Sequence, residues 1–147
     1  MNRTFEYLWE RHVFEGVFVI DVYKTLREKP MMSVAEIICD HLRGGGANIK
    51  GCRNTSDFVY ELRNRKYLIG IENIDSFSLN DLPRGQRVDE CILQIHQETK
   101  VHLVATMGST IRNEHMPSLQ KIPRNTMKLK QMTNTEIMKI FVSHIKN

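Results

Sequence analysis

Two adjacent carboxylates, Asp89 and Glu90, open a predicted helix that leads into the apolar segment Val101–Thr106. A second apolar segment, Val17–Ile20, ends directly in Asp21. In parallel α/β folds the carboxyl ends of the strands meet at one edge of the sheet, and ligand sites are built there. Carboxylates that converge at strand ends hold divalent metal ions in nuclease-type folds. The pattern therefore predicts an acidic site at the edge of a sheet.

Strands and helices alternate along the predicted chain and must position these acids. The predicted helices cover residues 2–15, 22–28, 34–41, 55–69, 88–97, 108–116 and 135–145, and the predicted strands cover Val17–Ile20, Ile49–Cys52 and Val101–Thr106. Ser33 is the predicted N-cap of the helix over 34–41, with Glu36 at the capping-box position. Thr55 or Ser56 is the predicted N-cap of the helix that ends near Ile69. Unbroken apolar runs are typical of strands buried on both faces, so the first and third strands are expected in the sheet interior. The alternation predicts a parallel sheet in a single α/β domain over residues 1–147.

The composition is that of a globular protein in water. Of the 147 residues, 41% are hydrophobic and 26% are charged, which suits one domain with a sizeable core. No apolar run approaches the roughly 18–20 residues of a membrane helix, so no membrane association is expected. Acidic residues near the N-terminus argue against a signal peptide. Three cysteines without a framework spacing favour a reducing, intracellular compartment.

The formal net charge is +4, and the basic residues concentrate after residue 120. They are Lys121, Arg124, Lys128, Lys130, Lys139 and Lys146, against the single acid Glu136. One interpretation is a solvated C-terminal surface. The other is a patch that meets phosphate.

Several motifs resemble those of the PIN-domain rRNA-processing proteins of the small-subunit processome, of the Fcf-one and Utp-twenty-three type. The resemblance covers most of the chain and is strongest over Gly85–Leu93. Val19–Asp21 is similar to the family's first strand and leading aspartate, and Tyr60–Leu62 to its second acidic motif. Leu103–Thr106 and Asn125–Leu129 look like its last core strands. No single motif is decisive, but their order and spacing support the match.

The resemblance implies a three-layer α/β/α sandwich with a central parallel sheet and a short basic C-terminal segment. It also implies a nucleolar location and a role in pre-rRNA processing, with pre-rRNA or small nucleolar RNA and other processome proteins as partners. A working PIN nuclease holds Mg²⁺ or Mn²⁺ through three or four carboxylates. By position, Asp21, Glu61 and Asp89, or Glu90 in place of Asp89, match those metal-binding and catalytic residues.

The sequence departs from the family pattern after the strand that ends at Thr106. The family usually has an aspartate one residue beyond its Ala-Thr segment, whereas here Met107 is followed by Gly108. The hydroxyls of Ser109 and Thr110 are poor substitutes for an anionic ligand to a hard cation. Residues 73–87 contain neither the cysteine nor the histidine that some members use for zinc, so no zinc is expected.

RNA would need cations beside the acidic residues. Arg84 and Arg87 flank Asp89 in sequence, and arginine suits phosphate through its planar fork of donors. Phosphate close to carboxylates must be offset by positive charge. The residues expected to bind RNA are Arg84, Arg87, Lys121, Arg124, Lys128 and Lys130.

Each of these acidic residues also has an alternative interpretation in which its role is purely structural. Asp21 can cap the following helix. Asp89 and Glu90 can favour a helix N-terminus through the helix dipole. Glu61 can be a surface residue of a helix.

The cysteines are expected to pack rather than to react. Cys91 falls on the inward face of its predicted helix. Cys39, His41 and Cys52 form an incomplete metal set, and no CxxC pair supports it. They are therefore assigned to the core or the surface.

Three functions stay open at this level. The first is a non-catalytic or weakly catalytic RNA-binding PIN module that assists processome assembly, which the loss of the acid at Gly108 favours. The second is a metal-dependent endoribonuclease that cleaves pre-rRNA, which the retention of Asp21, Glu61 and Asp89 favours. The third is a protein-interaction domain that does not contact RNA.

Overall fold

The computed structural model describes residues 10–11, 13–74, 87–107 and 116–122. Its elements in chain order are strand β1 (Gly16–Ile20), helix α1 (Val22–Glu28), helix α2 (Val34–Gly44), helix α3 (Thr55–Leu62), strand β2 (Tyr67–Ile71), helix α4 (Val88–Glu98), strand β3 (His102–Ala105) and a 3-10 helix (Pro117–Lys121). The mixed α/β class is confirmed. The predicted segments 108–115, Asn125–Leu129 and Thr135–Ile145 lie outside the described residues.

The three strands form one parallel sheet in the order β1-β2-β3. Ile71 of β2 lies opposite Ile20 of β1 on one side and opposite Ala105 of β3 on the other. The strands therefore end at the same level, and the residues that follow them share one edge. The predicted parallel sheet is confirmed, while the third layer of a sandwich stays a prediction.

The central strand of this sheet is β2, and all five of its residues are buried. The pattern of Phe58, Val59 and Leu62 predicted a helix that continues to Ile69, and that prediction is wrong because α3 ends at Leu62. The three apolar residues do face the core. The polar turn after Leu62 ends the helix. The apolar segment Tyr67–Ile71 that follows is buried on both faces, and such a segment is stable as the central strand of a parallel sheet.

The outer strands differ from each other in burial. Along β1, buried residues alternate with half-buried ones, whereas β3 is largely exposed. Interior positions were expected for both, but within the described part of the chain each pairs with β2 alone. The segment Ile49–Cys52 is not a strand, contrary to prediction, although both end residues are buried. Ile49 instead donates its backbone N–H to the Ala47 carbonyl at 3.0 Å, which makes this segment a tight loop.

Three of the described α-helices, α1, α2 and α3, begin at side-chain caps, whereas Arg87 before α4 makes no capping side-chain hydrogen bond. The predicted capping box is present at α2, where the Glu36 N–H donates to Ser33 Oγ at 3.2 Å and the Ser33 N–H donates to Glu36 Oε2 at 2.8 Å. Helix α3 is capped by Asn54, whose Oδ1 accepts from the Asp57 N–H at 2.9 Å, rather than by the expected Thr55 or Ser56. Each cap satisfies a backbone donor that the first helical turn leaves without an intrahelical partner.

The buried side chains of the four helices pack in one hydrophobic core with β1 and β2. Its largest fully buried members include Tyr23, Phe58 and Ile69. Of the predicted helix over 2–15, residues 2–9 and 12 lie outside the described residues, residue 10 is helical and residues 13–15 are not. The Glu15 N–H donates to the Lys66 carbonyl at 2.9 Å on the way into β1. Among the described helices, none is long and apolar enough to span a bilayer.

The position of β2 at the centre of the core predicts the result of a stability measurement. Ile69 is 0% exposed, so Ile69→Ala removes packed atoms and leaves a cavity, with an expected loss of about 3 kcal/mol in the free energy of unfolding. Val104 of β3 is 40% exposed, so Val104→Ala is expected to lose less than about 1 kcal/mol. Urea unfolding followed by circular dichroism measures both. Equal losses would contradict the central position of β2.

Candidate functional site at the carboxyl edge of the sheet

One polar residue follows each strand at the carboxyl edge: Asp21 after β1, Glu72 after β2 and Thr106 after β3. Backbone hydrogen bonds continue beyond the strands, from the Glu72 N–H to the Ile20 carbonyl at 2.8 Å and from the Thr106 N–H to the Ile71 carbonyl at 2.9 Å. These bonds hold the three strand ends side by side. Parallel α/β folds bind ligands at this edge.

Asn73 bridges the three strand ends. Its side-chain Nδ2 donates to Asp21 Oδ2 at 3.0 Å, and its backbone N–H donates to Thr106 Oγ1 at 3.2 Å. Its φ of 55° lies in the left-handed region, which asparagine tolerates better than most residues with a Cβ. Sparsely populated backbone conformations cluster at functional sites, so the exposed Asn73 is a candidate binding residue.

Asp21 uses its two carboxylate oxygens differently. Oδ1 accepts from the Lys24 N–H at 3.0 Å, so the helix-capping interpretation is confirmed for α1. Oδ2 accepts from Asn73. Each ionised carboxylate oxygen has about two acceptor positions, so the half-buried Asp21 can still accept from, or coordinate, a ligand.

The sequence pattern does not single out Glu72 and Asn73, because it predicts a helix that continues to Ile69, over the first part of β2. The signal was present, since Glu72 and Asn73 directly follow the apolar run Tyr67–Ile71 as Asp21 follows its own run. Recognition of that run as a strand would have placed both polar residues at the edge.

Asp89 is buried, with a side-chain exposure of 0%, and is paired with Arg87. Arg87 Nε donates to Oδ1 at 3.3 Å and Arg87 Nη2 donates to Oδ2 at 3.1 Å, which makes a two-point pair. The Ser118 N–H donates to the same carboxylate at 3.4 Å. Asp89 therefore ties the start of α4 to the 3-10 helix, and its buried charge has the partners that such a charge requires.

Glu90 and Glu61 have partners of their own. Glu90, 46% exposed, lies 3.4 Å from Nη1 of Arg87. Glu61, half-buried on α3, accepts from the Lys50 N–H at 3.0 Å and fixes the loop that precedes α3. In the parts of the chain that the structure describes, no three Asp, Glu, His or Cys side chains form a group that could hold a metal ion. Metal binding by Asp21, Glu61 and Asp89 stays a prediction.

The residues expected to bind RNA divide into three groups. Arg87 is 26% exposed and its guanidinium is engaged by Asp89 and Glu90, so its first role is structural. Lys121 is exposed at the end of the 3-10 helix. The remaining four lie outside the described residues: Arg84, Arg124, Lys128 and Lys130.

Cys91 packs as predicted, since it is 3% exposed within the core. Burial raises the pKa of its thiol to about 12. A neutral buried thiol is a poor nucleophile and metal ligand, so Cys91 contributes packing.

No family model matches the chain, and searches of curated proteins and of solved structures found no similar protein.

The Arg87–Asp89 pair can be tested by comparison with Arg87–Glu90. Arg87→Met leaves the Asp89 carboxylate buried without its cation, and the expected loss is about 3 kcal/mol in the free energy of unfolding. Glu90→Gln breaks only the more exposed pair, with an expected loss below about 1 kcal/mol. Chemical denaturation of both variants measures the difference. If Arg87→Met were as stable as the native chain, the pair would have no structural role.

Proposed function

We propose that this chain is a PIN-like RNA-binding module that acts in pre-rRNA processing as an assembly factor of the small-subunit processome, without efficient cleavage of RNA. The carboxyl edge of the sheet is its RNA site. The observation that carries the proposal is the hydrogen-bonded set of Asp21, Asn73 and Thr106, which joins all three strand ends. In the resemblance to the PIN proteins, Asp21 is the leading acid of the site.

The chemistry of this edge suits single-stranded RNA. Proteins recognise unpaired bases through hydrogen bonds to base edges, and they distinguish RNA from DNA through the ribose 2′-hydroxyl. Asn73 offers both an amide donor and an amide acceptor, and Thr106 offers a hydroxyl. Both residues are exposed, so a splayed nucleotide can reach them.

The same edge is poorly equipped for hydrolysis. Asp21 and Glu72 place carboxylates at two strand ends, but the third strand end has the neutral Thr106. Hard divalent cations prefer several anionic oxygens, and a two-metal mechanism requires enough of them to hold both ions. Gly108 stands where the family has an aspartate.

An RNA phosphate beside the carboxylates of Asp21 and Glu72 requires nearby cationic side chains to offset the repulsion. The chain has an excess of such side chains, as its net charge of +4 shows. Lys121 is exposed, and Lys24 is exposed in the first turn of α1, three residues from Asp21. Arg84 and the basic residues after position 121 are further cations in the sequence that the proposal expects to contact RNA.

RNA affinity in a salt series tests the proposal. Arg84→Ala/Lys121→Ala should weaken the binding of labelled single-stranded RNA and lower the slope of log affinity against log salt by about 0.7 per lost phosphate contact. The control Arg63→Ala/Lys66→Ala removes equal charge from the turn before β2, at the opposite edge, and should leave the slope unchanged. Arg87 is left in place because its loss would unpair Asp89. Fluorescence anisotropy reports the affinities.

Asn73→Gly separates the contribution of the sheet edge to RNA affinity from the contribution of the overall charge. Glycine keeps the left-handed backbone and removes the amide, so affinity should fall roughly two- to tenfold with the salt slope unchanged. Binding that depends on neither salt nor Asn73 would contradict the proposal. A protein-interaction domain would then be the better interpretation.

A second candidate function is metal-dependent endoribonuclease activity. The specific observation in its favour is that Asp21 and Glu72 follow hydrogen-bonded neighbouring strands, where two carboxylates can share one cation.

Incubation with Mn²⁺ and end-labelled single-stranded RNA distinguishes the two functions. We expect at most feeble cleavage, because the edge lacks a third acid. Efficient cleavage that Asp21→Asn and Glu72→Gln abolish, while the control Glu98→Gln at the exposed C-terminal end of α4 retains it, would establish the nuclease instead.

A further inference from the structure

Cys39 and Cys52 form a pair of buried thiols whose Sγ atoms lie 3.0 Å apart. Cys39 is on α2 and is 0% exposed, while Cys52 is in the loop between α2 and α3 and is 6% exposed. Neither thiol has a part in the proposed RNA site. Two sulfur atoms at this distance need only a small shift to reach the bond length of a disulfide.

Both thiols converge on the carbonyl of Lys50, at 3.2 Å from Cys39 and 3.3 Å from Cys52. Each thiol has one hydrogen, so when Cys52 donates to this carbonyl, Cys39 can donate to Cys52 Sγ or to the same carbonyl. The Lys50 N–H in turn donates to Glu61 on α3. The thiol pair therefore anchors the loop residue Lys50, which is hydrogen-bonded to both α2 and α3.

We propose that Cys39 and Cys52 are a redox modification site, at which hydrogen peroxide converts the two thiols into an intramolecular disulfide that thiol reductants reverse. The more exposed Cys52 reacts first. Its thiolate attacks one peroxide oxygen, the O–O bond breaks, and Cys52 sulfenic acid forms with release of water once the leaving hydroxide takes a proton. Cys39, after losing its proton, attacks the sulfenic sulfur and a second water leaves. In total two thiols and one hydrogen peroxide give one disulfide and two waters.

The surroundings of Cys52 slow its oxidation. Burial raises the pKa of Cys52 to about 12, with the neighbouring Cys39 and the carboxylates of Glu61 and Asp57 adding to the effect. The thiolate is the reactive form, so the reaction is slow at neutral pH and requires sustained peroxide.

The disulfide changes what holds the loop. Oxidation removes both S–H donors from the Lys50 carbonyl and replaces them with a covalent link between α2 and the loop. Thermal unfolding of the oxidised chain should therefore occur at a higher temperature than that of the reduced chain, because the link restricts the unfolded state.

Cys91 provides an internal control. It is buried like Cys52, and burial raises its thiol pKa to about 12 as well, but its thiol faces Thr55 rather than another thiol. The three cysteines are thus alike in burial, and the 3.0 Å separation distinguishes the Cys39–Cys52 pair.

The experiment treats the native, full chain with hydrogen peroxide, blocks the remaining thiols under denaturing conditions and maps tryptic peptides by mass spectrometry. Trypsin cleaves after Arg43 and Lys50, so Cys39 and Cys52 leave in separate peptides unless a disulfide joins them. We expect two of the three thiols to be lost, one Cys39–Cys52 linked peptide that dithiothreitol separates, and an unmodified Cys91. Cys91→Ser should behave as the native chain, whereas Cys39→Ser and Cys52→Ser should give no linked peptide.

The mapping of the native chain decides the matter even if a serine variant fails to fold. Retention of all three thiols in the folded chain, a link that involves Cys91, or conversion of Cys52 to sulfinic acid without a link would overturn the proposal. So would a metal ion that co-purifies with the pair, detected by elemental analysis, and prevents oxidation until a chelator removes it.

Discussion

The burial of β2 on both faces is the constraint on which the rest of the described structure depends. All five residues from Tyr67 to Ile71 are buried, and the strand pairs in parallel with β1 on one side and with β3 on the other. A strand with no exposed side chain requires packing on both of its faces, and its backbone requires hydrogen bonds along both of its edges. The helices and the two other strands meet these requirements, and in doing so they set the position of every strand end.

The candidate site follows from that constraint. Because Ile71 is in register with both Ile20 and Ala105, the chain leaves the sheet at three adjacent points. Asn73 connects those points through its side chain and its backbone, in a conformation that most residues would adopt only with strain. The acids of the α4 N-terminus have a different role. Asp89 is buried and paired, and it stabilises the packing of α4 on the 3-10 helix.

The sequence predicted those elements whose signals are local. The apolar run before Asp21, the capping box of Ser33 and Glu36, and the inward face that includes Cys91 all depend on residues within a few positions of one another, and all are confirmed. The parallel arrangement is confirmed as well, because the alternation of strands and helices along the chain favours it without specifying which strands pair.

The sequence did not predict what depends on distant contacts. The run Tyr67–Ile71 is apolar enough to continue a helix, and only its pairing with β1 and β3 makes it a strand. The bridge from Asn73 to Asp21 spans 52 residues, and the bond from Ser118 to Asp89 spans 29. The role of Arg87 was ambiguous for a related reason, since an arginine beside two acids suits phosphate as well as an internal ion pair until the burial of Asp89 is known.

The central claim is that RNA binds at the carboxyl edge of this sheet, and a titration of the ¹⁵N-labelled chain with single-stranded RNA tests it most directly. The amide resonances of Asp21, Asn73 and Thr106 are predicted to shift most, in proportion to the bound fraction. Shifts confined to the opposite edge, at Gly16, Tyr67 and His102, or no shift at any RNA concentration, would contradict the account.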